Sequence, residues 1–412
     1  MNMSKSALSA TEATFASLFE RRKSEGAPDL RERSWLAFLR DGLPNRRLES
    51  WHYTDLRSAL RDLAACETEA AGCVESDKPP AGVTRHSLHE ALQNLGADDT
   101  LAALAPRIED PVVALNGALM TDGVVLFVPP GAVIETPISL LRRFSGAGLS
   151  VTRSLIVVGA GARISIIEHA EAGEEKGGFE NDVLILALGE NAKVEHCLIC
   201  QGRAQGAASV MSLVATLAEG AALASFALIE GGGLVRRQIF AKLAGAKARV
   251  RFNGASLLGG ESFADMTLLI EHLAPQGESR ETFRSIIDDT ATGVFQGKIS
   301  VAREAQKTDG AMQSKALLLS DAASMNNKPE LEIFAEDVAC GHGATCGRLD
   351  ADQLFYLMTR GIPKAQAEAL LIEGFANEAF AELEQESLRE ALAARVAAWL
   401  AQRKGPAGRS AL

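Results

Sequence analysis

The sequence is poor in cysteine, in net positive charge and in hairpin punctuation. Six cysteines, unevenly placed in 412 residues, do not make a disulfide framework, and a reducing compartment suits them better. The formal net charge of −11 leaves no overall basic excess for gripping phosphates and argues against a nucleic-acid scaffold. Met1 to Lys23 holds no apolar core of a secretory signal, and a cytoplasmic location is expected. One stretch, Ala207 to Ile229, has the length of a membrane span. Glu219-Gly220 interrupts it as a turn would, and a central acid costs ~2.5–3.5 kcal/mol on insertion scales. A phosphate loop is also missing. Gly293 to Ser300, GVFQGKIS, has three residues between its glycines and Ile299 after Lys298, so the chain is not expected to hydrolyse ATP.

An apolar fraction of 47% and a charged fraction of 23% describe a soluble globular chain with room for two or three domains. Residues 5 to about 105 read as helical. Leu8, Thr11, Phe15, Leu18 and Phe19 share one face. A second helix, Asp29 to Arg40, is expected to bury Leu30, Trp35, Leu36, Phe38 and Leu39, with Asp29 as its N-cap. In ESWHYTDL, Glu49 to Leu56, Trp51 and Tyr53 read as an aromatic anchor, with Thr54 and Asp55 capping the helix that follows. Glu67 to Gly82 reads as a loop, and short helices are expected over His86–Leu95 and Asp98–Leu104.

From Thr121 the texture changes to short β-branched runs, such as Val124 to Val128, Asp182 to Leu188 and Val210 to Leu217. Small-residue turns recur between them. Gly131, Gly161, Asn191 and Gly220 are spaced by 30, 30 and 29, and Gly245 follows after 25. Such a soft repeat without intervening helices is the mark of a β-solenoid, whose coils bury their apolar stripes only against neighbouring coils. A β-sandwich would need hairpins with Asn-Gly or Asp-Gly turns, which are scarce. Beyond Asp350 the pattern is helical again, over Asp350–Arg360, Lys364–Gly374 and Asn377–Gln402. The expected fold is therefore mainly β, a β-solenoid over 106–348, flanked by helical regions over 1–105 and 349–412.

The densest chemistry lies in Asn326 to Asp350, NNKPELEIFAEDVACGHGATCGRLD. Cys340 and His342 are i and i+2, so an extended backbone points both to one side, with Cα atoms roughly 6.5–7 Å apart. Gly341, Gly343 and Gly347 leave room for a second backbone. The pair admits three readings: ligands of a soft metal centre, a small hydrophobe beside a hydrogen-bonded histidine, or a nucleophilic Cys/His dyad, whose members usually come from distant segments. Two ligands fall short of the four of a closed zinc site, and Cys346 is a weaker third. Cys197 and Cys200 have C-x-x-C spacing, but on a strand they face opposite ways and read as buried thiols. Glu271-His272 has no visible partner, and Asp288-Asp289 reads as a turn.

N-x-K-P-x-L-E-I-x-A-x-D-V-x-C-x-H-G-A-T and then L-F-Y-L-x-x-R-G-I, matched from Asn326 through Ile362, resemble the SufB/SufD family of iron–sulfur cluster assembly proteins. ESWHYTDL resembles that family's N-terminal element. Length, the Cys-Gly-His form and that element are more similar to the SufD branch than to the longer SufB branch. The resemblance implies a right-handed parallel β-helix between helical regions. It implies a non-ATPase scaffold subunit that pairs with a SufB-like paralogue through the ends of their β-helices, and that forms a homodimer in isolation. A SufC-like ABC ATPase would dock on the C-terminal helices, with Phe355, Tyr356, Arg360 and Phe375 as the docking residues. A transient iron–sulfur cluster would be built at the interface, with His342 as ligand, Cys340 beside it and Cys346 open. Reduced flavin would associate with the complex, with no residues to assign. The competing expectation is a structural adaptor that recruits the ATPase and supplies no ligand.

Overall fold

The structure, a computed structural model, describes residues 8–403 apart from 62, 64–70, 95–101, 146–147, 172–176 and 204. Two nine-stranded sheets face each other and form the walls of a β-solenoid. One wall holds β1 (Ala71–Ser76), β4 (Ile138–Ser145), β6 (Arg163–Glu171), β8 (Lys193–Gln201), β10 (Ala222–Glu230), β12 (Arg249–Leu258), β14 (Glu278–Ile287), β16 (Asp309–Leu318) and β18 (Ala339–Gly347), in that order. The other holds β2 (Thr84–Ser87), β3 (Val124–Val128), β5 (Leu149–Val158), β7 (Phe179–Leu188), β9 (Ala208–Leu217), β11 (Leu234–Leu243), β13 (Phe263–His272), β15 (Thr292–Val301) and β17 (Ser324–Ile333). β1 and β2 pair antiparallel with β4 and β3. The remaining neighbours pair in parallel, as strands of successive coils must.

Inward side chains stack in columns because each strand lies in register with the one a coil earlier. Ile166, His196, Ser225, Phe252, Glu281, Met312 and His342 make one such column. The interior is a single apolar cluster running from Val74 to Ala335. Both outer faces are covered too. α1 (Ala10–Arg22), α2 (Pro28–Asp41), the short α3 (Leu56–Ala59), α4 (Leu88–Asn94) and α5 (Pro111–Leu119) belong to the N-terminal layer. Phe15, Phe38, Trp51 and Leu115 of that layer pack on Leu155, Val183 and Val214. α6 (Ala351–Thr359), α7 (Lys364–Asn377) and α8 (Glu386–Gln402) lie at the other side. There Ile372, Phe380, Leu392 and Val396 pack on Cys197, Phe226 and Leu257. Covering on both faces is why runs such as VLILAL are apolar throughout.

The recurring turns are corners. Gly131, Gly161, Asn191 and Gly220 all have left-handed φ, between 56° and 71°. The fifth corner departs from the expected repeat. Its left-handed residue is Lys247 (φ 58°), and the series goes on through Gln276 and Lys307, both at 61°. Gly245 instead permits a close approach between coils, since a Cβ there would lie 2.0 Å from the backbone nitrogen of Glu219 in the coil before. Gly245→Ala is expected to cost about 1–3 kcal/mol, because backbone must move to admit the methyl; a lowered denaturation midpoint checks it.

Other expectations need correction. α2 starts at Pro28 with Ala27 as an uncapped, left-handed N-cap; proline pre-sets the first helical φ, and Asp29 sits inside the first turn. Leu36 and Leu39 are exposed, because Leu30, Trp35 and Phe38 take the inner face. Leu8 is exposed as well. Ala71–Ser76, expected as loop, is β1; residues 67–70, Leu95 and the start of Asp98–Leu104 lie outside the described residues. Asp55 caps α3 through Ser58 N at 2.9 Å, whereas Thr54 donates to Asp265. α7 runs on past Gly374, and α8 begins only at Glu386. Phe380 and Leu383 are buried in the turn between them. The Ala207–Ile229 stretch is β9 and β10, and no helix among the described residues is long and apolar enough to cross a membrane. GVFQGKIS lies within β15 as extended strand.

Candidate functional site

β17 and β18 end their sheets, each paired on one side only, with β15 and β16. The solenoid is therefore open here, with a row of free backbone donors and acceptors along each edge. The two edges differ. β17 carries Lys328 and Pro329, which discourage strand addition. β18 carries Gly341, Gly343 and Gly347, and nothing stands within 4 Å of where their side chains would be.

Cys340 and His342 occupy neighbouring inward positions of β18. Cys340 is in register with Gly310 and His342 with Met312. No later coil covers them, so Cys340 is half-buried and His342 exposed. Cys340 packs on the end of the apolar interior. Burial pushes its thiol up; Asp309 and Glu281 push the same way, against the Gly310 backbone and Arg280. Cys346 does not join the pair. Four residues of strand set it about 13 Å beyond His342, in a groove with Leu349, Leu371 and Phe375. Among the described residues no three His, Cys, Asp or Glu side chains are grouped to hold a metal. The arrangement offers one thiol and one imidazole, half of a soft tetrahedral donor set.

ESWHYTDL stitches the N-terminal layer to this end of the solenoid. Gln296 Nε2 donates to the Glu49 carbonyl at 3.0 Å, and Lys328 of β17 pairs with the Glu49 carboxylate. Trp51 Nε1 donates to Asp110 at 2.9 Å, and the Arg236 guanidinium lies 3.8 Å from the Trp51 ring centre.

On the C-terminal side, Asp350 caps α6 by accepting from Asp352 N and Gln353 N. No residue of α6 is buried. Phe355 and Tyr356 are 68% and 56% exposed, and Arg360 lies over the Tyr356 ring at 5.1 Å. Phe375, on α7, lines a groove together with Gln353 of α6. It is half-buried against the solenoid, with Arg284 5.5 Å above its ring.

The remaining sequence candidates are structural in placement. Cys197 faces the C-terminal helices and Cys200 the interior, and burial pushes both thiols up to about 12. Glu271 pairs with Lys242 at 3.5 Å; His272 is buried. Asp289 is a left-handed corner. Sequence reasoning missed the polar groups inside the solenoid. Glu168 accepts from His196 at 2.7 Å, His196 meets Ser225 at 2.8 Å, and Arg142 pairs with Asp182. Glu281 stands apart from these, nearer the open end. Their one signal is a charged residue at an inward position of an otherwise apolar alternation.

A model of the SufBD core domain of the SUF iron–sulfur cluster assembly system matches residues 142–375, and a model of the SufBD N-terminal region matches residues 68–140. The chain is 28% identical to iron–sulfur cluster assembly protein SufD of Escherichia coli (strain K12), over 92% of this chain and 94% of that one. It is 30% identical to an iron–sulfur cluster assembly SufBD family protein of Synechocystis sp., over 89% and 88% of the two chains. It is 30% identical to protein ABCI7, chloroplastic, of Arabidopsis thaliana, over 67% of this chain and 60% of that one. Solenoid, open-end motif and these matches agree: the chain belongs to the SufBD family of iron–sulfur cluster assembly proteins.

Proposed function

We propose that this chain is a SufD-type scaffold subunit, without catalysis of its own, that completes a cluster-assembly site only with a partner. The observation that carries the reading is the pair Cys340 and His342, facing the mouth of the solenoid from a glycine-rich edge strand. Two donors leave the rest of a metal's coordination to another chain. A SufB-like paralogue that lays its own edge strand on β18 fills both needs, backbone pairing and further ligands. Ile333 and Phe334, exposed at the end of β17, add apolar surface for the same partner. The nascent iron–sulfur cluster is cargo held at this junction, with His342 as this chain's first ligand and Cys340 beside it.

A SufC-like ABC ATPase docks on α6 in this reading, since the chain has no phosphate loop and α6 keeps its apolar face free. Phe355, Tyr356 and Arg360 are the docking residues, with Phe375 of α7, half-buried against the solenoid, the least accessible of the four. The reading assigns no residue to flavin. The direct test is iron and acid-labile sulfide on anaerobically purified complex, co-expressed with SufB-like and SufC-like partners. An assembled complex that never carries either would sink the scaffold reading. Phe355→Glu with Tyr356→Ala is expected to weaken ATPase docking by roughly 2 kcal/mol or more, some thirtyfold. The fold should be unchanged, because α6 buries nothing. Co-purification of the ATPase with unaltered yield would move the docking surface elsewhere.

A further inference from the structure

Close to the mouth, Glu281 and Ser279 are among the inward positions that break the apolar rule of the interior. Glu281 on β14 is 1% exposed, and neither carboxyl oxygen makes a well-formed hydrogen bond among the described residues, though the Ser279 hydroxyl lies close enough to favour its ionised form. Ser279, two residues before it on the same face, is fully buried, and its hydroxyl makes no other well-formed hydrogen bond among them. Glu281 is flanked in its column by Phe252 and Met312. The next inward ring on its strand, Phe283, lies 5.1 Å from Phe295 of the facing sheet. A carboxyl is costly to keep in such surroundings, and groups kept at a cost concentrate where charge changes hands.

The position relative to the mouth is specific. Glu281 and His342 belong to one column, with Met312 between them, so two strand spacings separate them, about 10 Å. Ser279 and Cys340 belong to the adjacent column, with Gly310 between them. Gly310 lacks the side chain that would part them: Ser279 Oγ and Cys340 Sγ lie 3.4 and 3.5 Å from the point its Cβ would occupy.

We propose that Glu281 is a positioning residue for the mouth, a reserve carboxyl that becomes the interior counter-charge when a metal cation is loaded on Cys340 and His342. The inference rests on the reading of that pair given above. In the empty chain burial, against the Ser279 hydroxyl and Arg280, pushes Glu281 up to about 8, so it holds its proton at neutral pH. On loading, the Glu281 O–H bond breaks, the electron pair stays on the carboxylate, and the proton leaves by the mouth; nothing is oxidised or reduced. Glu281 acts through space, since no three such groups gather at metal distance among the described residues. The groups around it are few. Arg280 on its own strand pairs with Asp309 of β16 at 2.5 Å. β18 brings Cys340 and His342. β13 and β15 bring Met266, Leu268, Phe295 and Ile299 to the interior. At the corner lies His272, which burial takes down to about 4 and keeps neutral.

The test titrates ferrous iron, anaerobically, into the complex with its SufB-like and SufC-like partners, and counts bound iron and protons released per iron. Charge pairing across about 10 Å of protein predicts that Glu281→Gln binds iron about tenfold more weakly. It should also release about one proton fewer per iron, and its affinity should rise less steeply between about pH 7 and 8, since the Cys340 thiol still gives up its own proton on binding. Glu281→Asp should restore both, and Gln, the neutral isostere, should leave assembly intact. If Glu281→Gln matches wild type in affinity and proton count while His342→Ala loses iron, the mouth stands as the site and this inference falls. If His342→Ala also binds like wild type, the pair is not the site and both fall.

Discussion

His342→Ala is expected to leave a complex that assembles but holds little iron or sulfide. The side chain is exposed at the end of its column, on a strand with no coil beyond it. Its removal should change the stability of the chain by no more than about 0.5 kcal/mol, as at other surface positions. The loss in function is of another order. A soft metal site with one ligand missing loses the geometry that closes it, and water cannot replace imidazole in holding iron against exchange. Cys340→Ala should do less to function and more to the fold. The thiol packs on the interior, and a small void above Gly310 costs about 1 kcal/mol. Iron and acid-labile sulfide per complex, beside partner stoichiometry, check both. Equal iron in wild type and His342→Ala would favour the adaptor reading, in which this end of the chain only pairs strands.

The architecture was legible where one rule governed both faces of a strand. Runs buried on both sides, such as those in β7 and β9, announced themselves as apolar, and the corners at Gly131, Gly161, Asn191 and Gly220 gave the coil length. β11, β14 and β16 were not legible, because their sequences, LVRRQIFAKL, ESRETFRSII and DGAMQSKALL, look like surface. In β11 and β14 several charges are interior or covered: Arg236 lies under Trp51, Arg237 and Glu281 face inward, while Asp309 of β16 stays half-exposed. Burial there depends on segments far away in sequence, and no local pattern carries that information. The Cys340 and His342 pair was legible from two-residue spacing alone. That Cys346 is too far along the strand follows from the same rise, but only once the strand is known to stay straight to Gly347. The role of ESWHYTDL was half legible. Trp51 is the buried anchor its size suggests, while the Thr54 hydroxyl answers to a carboxylate 211 residues away.

That carboxylate carries the largest expected effect on stability. Asp265 is fully buried. Its Oδ2 accepts from Thr54 Oγ1 and Arg236 Nη1, and its Oδ1 accepts from Thr267 Oγ1 at 2.8 Å. Asp265→Ala would leave the Arg236 guanidinium fully buried, with the Ser50 carbonyl at 2.6 Å as its remaining acceptor and the Trp51 ring against it. Breaking one side of a buried pair costs about 3–5 kcal/mol, most of it from the uncompensated charge left behind. Asp265→Ala with Arg236→Met should therefore recover a good part of the loss, because a buried thioether needs no partner. The damage should also travel. Arg236, Asp265 and Gln296 stand on β11, β13 and β15, and each holds part of the 49–54 segment against the outer wall, whose Glu49 reaches Lys328 on edge strand β17. Loosening that segment should raise amide exchange in 49–54 and in 324–333 together, and with it weaken pairing at the open end. Denaturant unfolding and hydrogen exchange on the wild type, the single and the double variant decide the matter. A cost below about 1 kcal/mol for Asp265→Ala, or a double variant no better than the single, would mean that apolar packing of Trp51 and its neighbours, not this ion pair, holds the N-terminal layer in place.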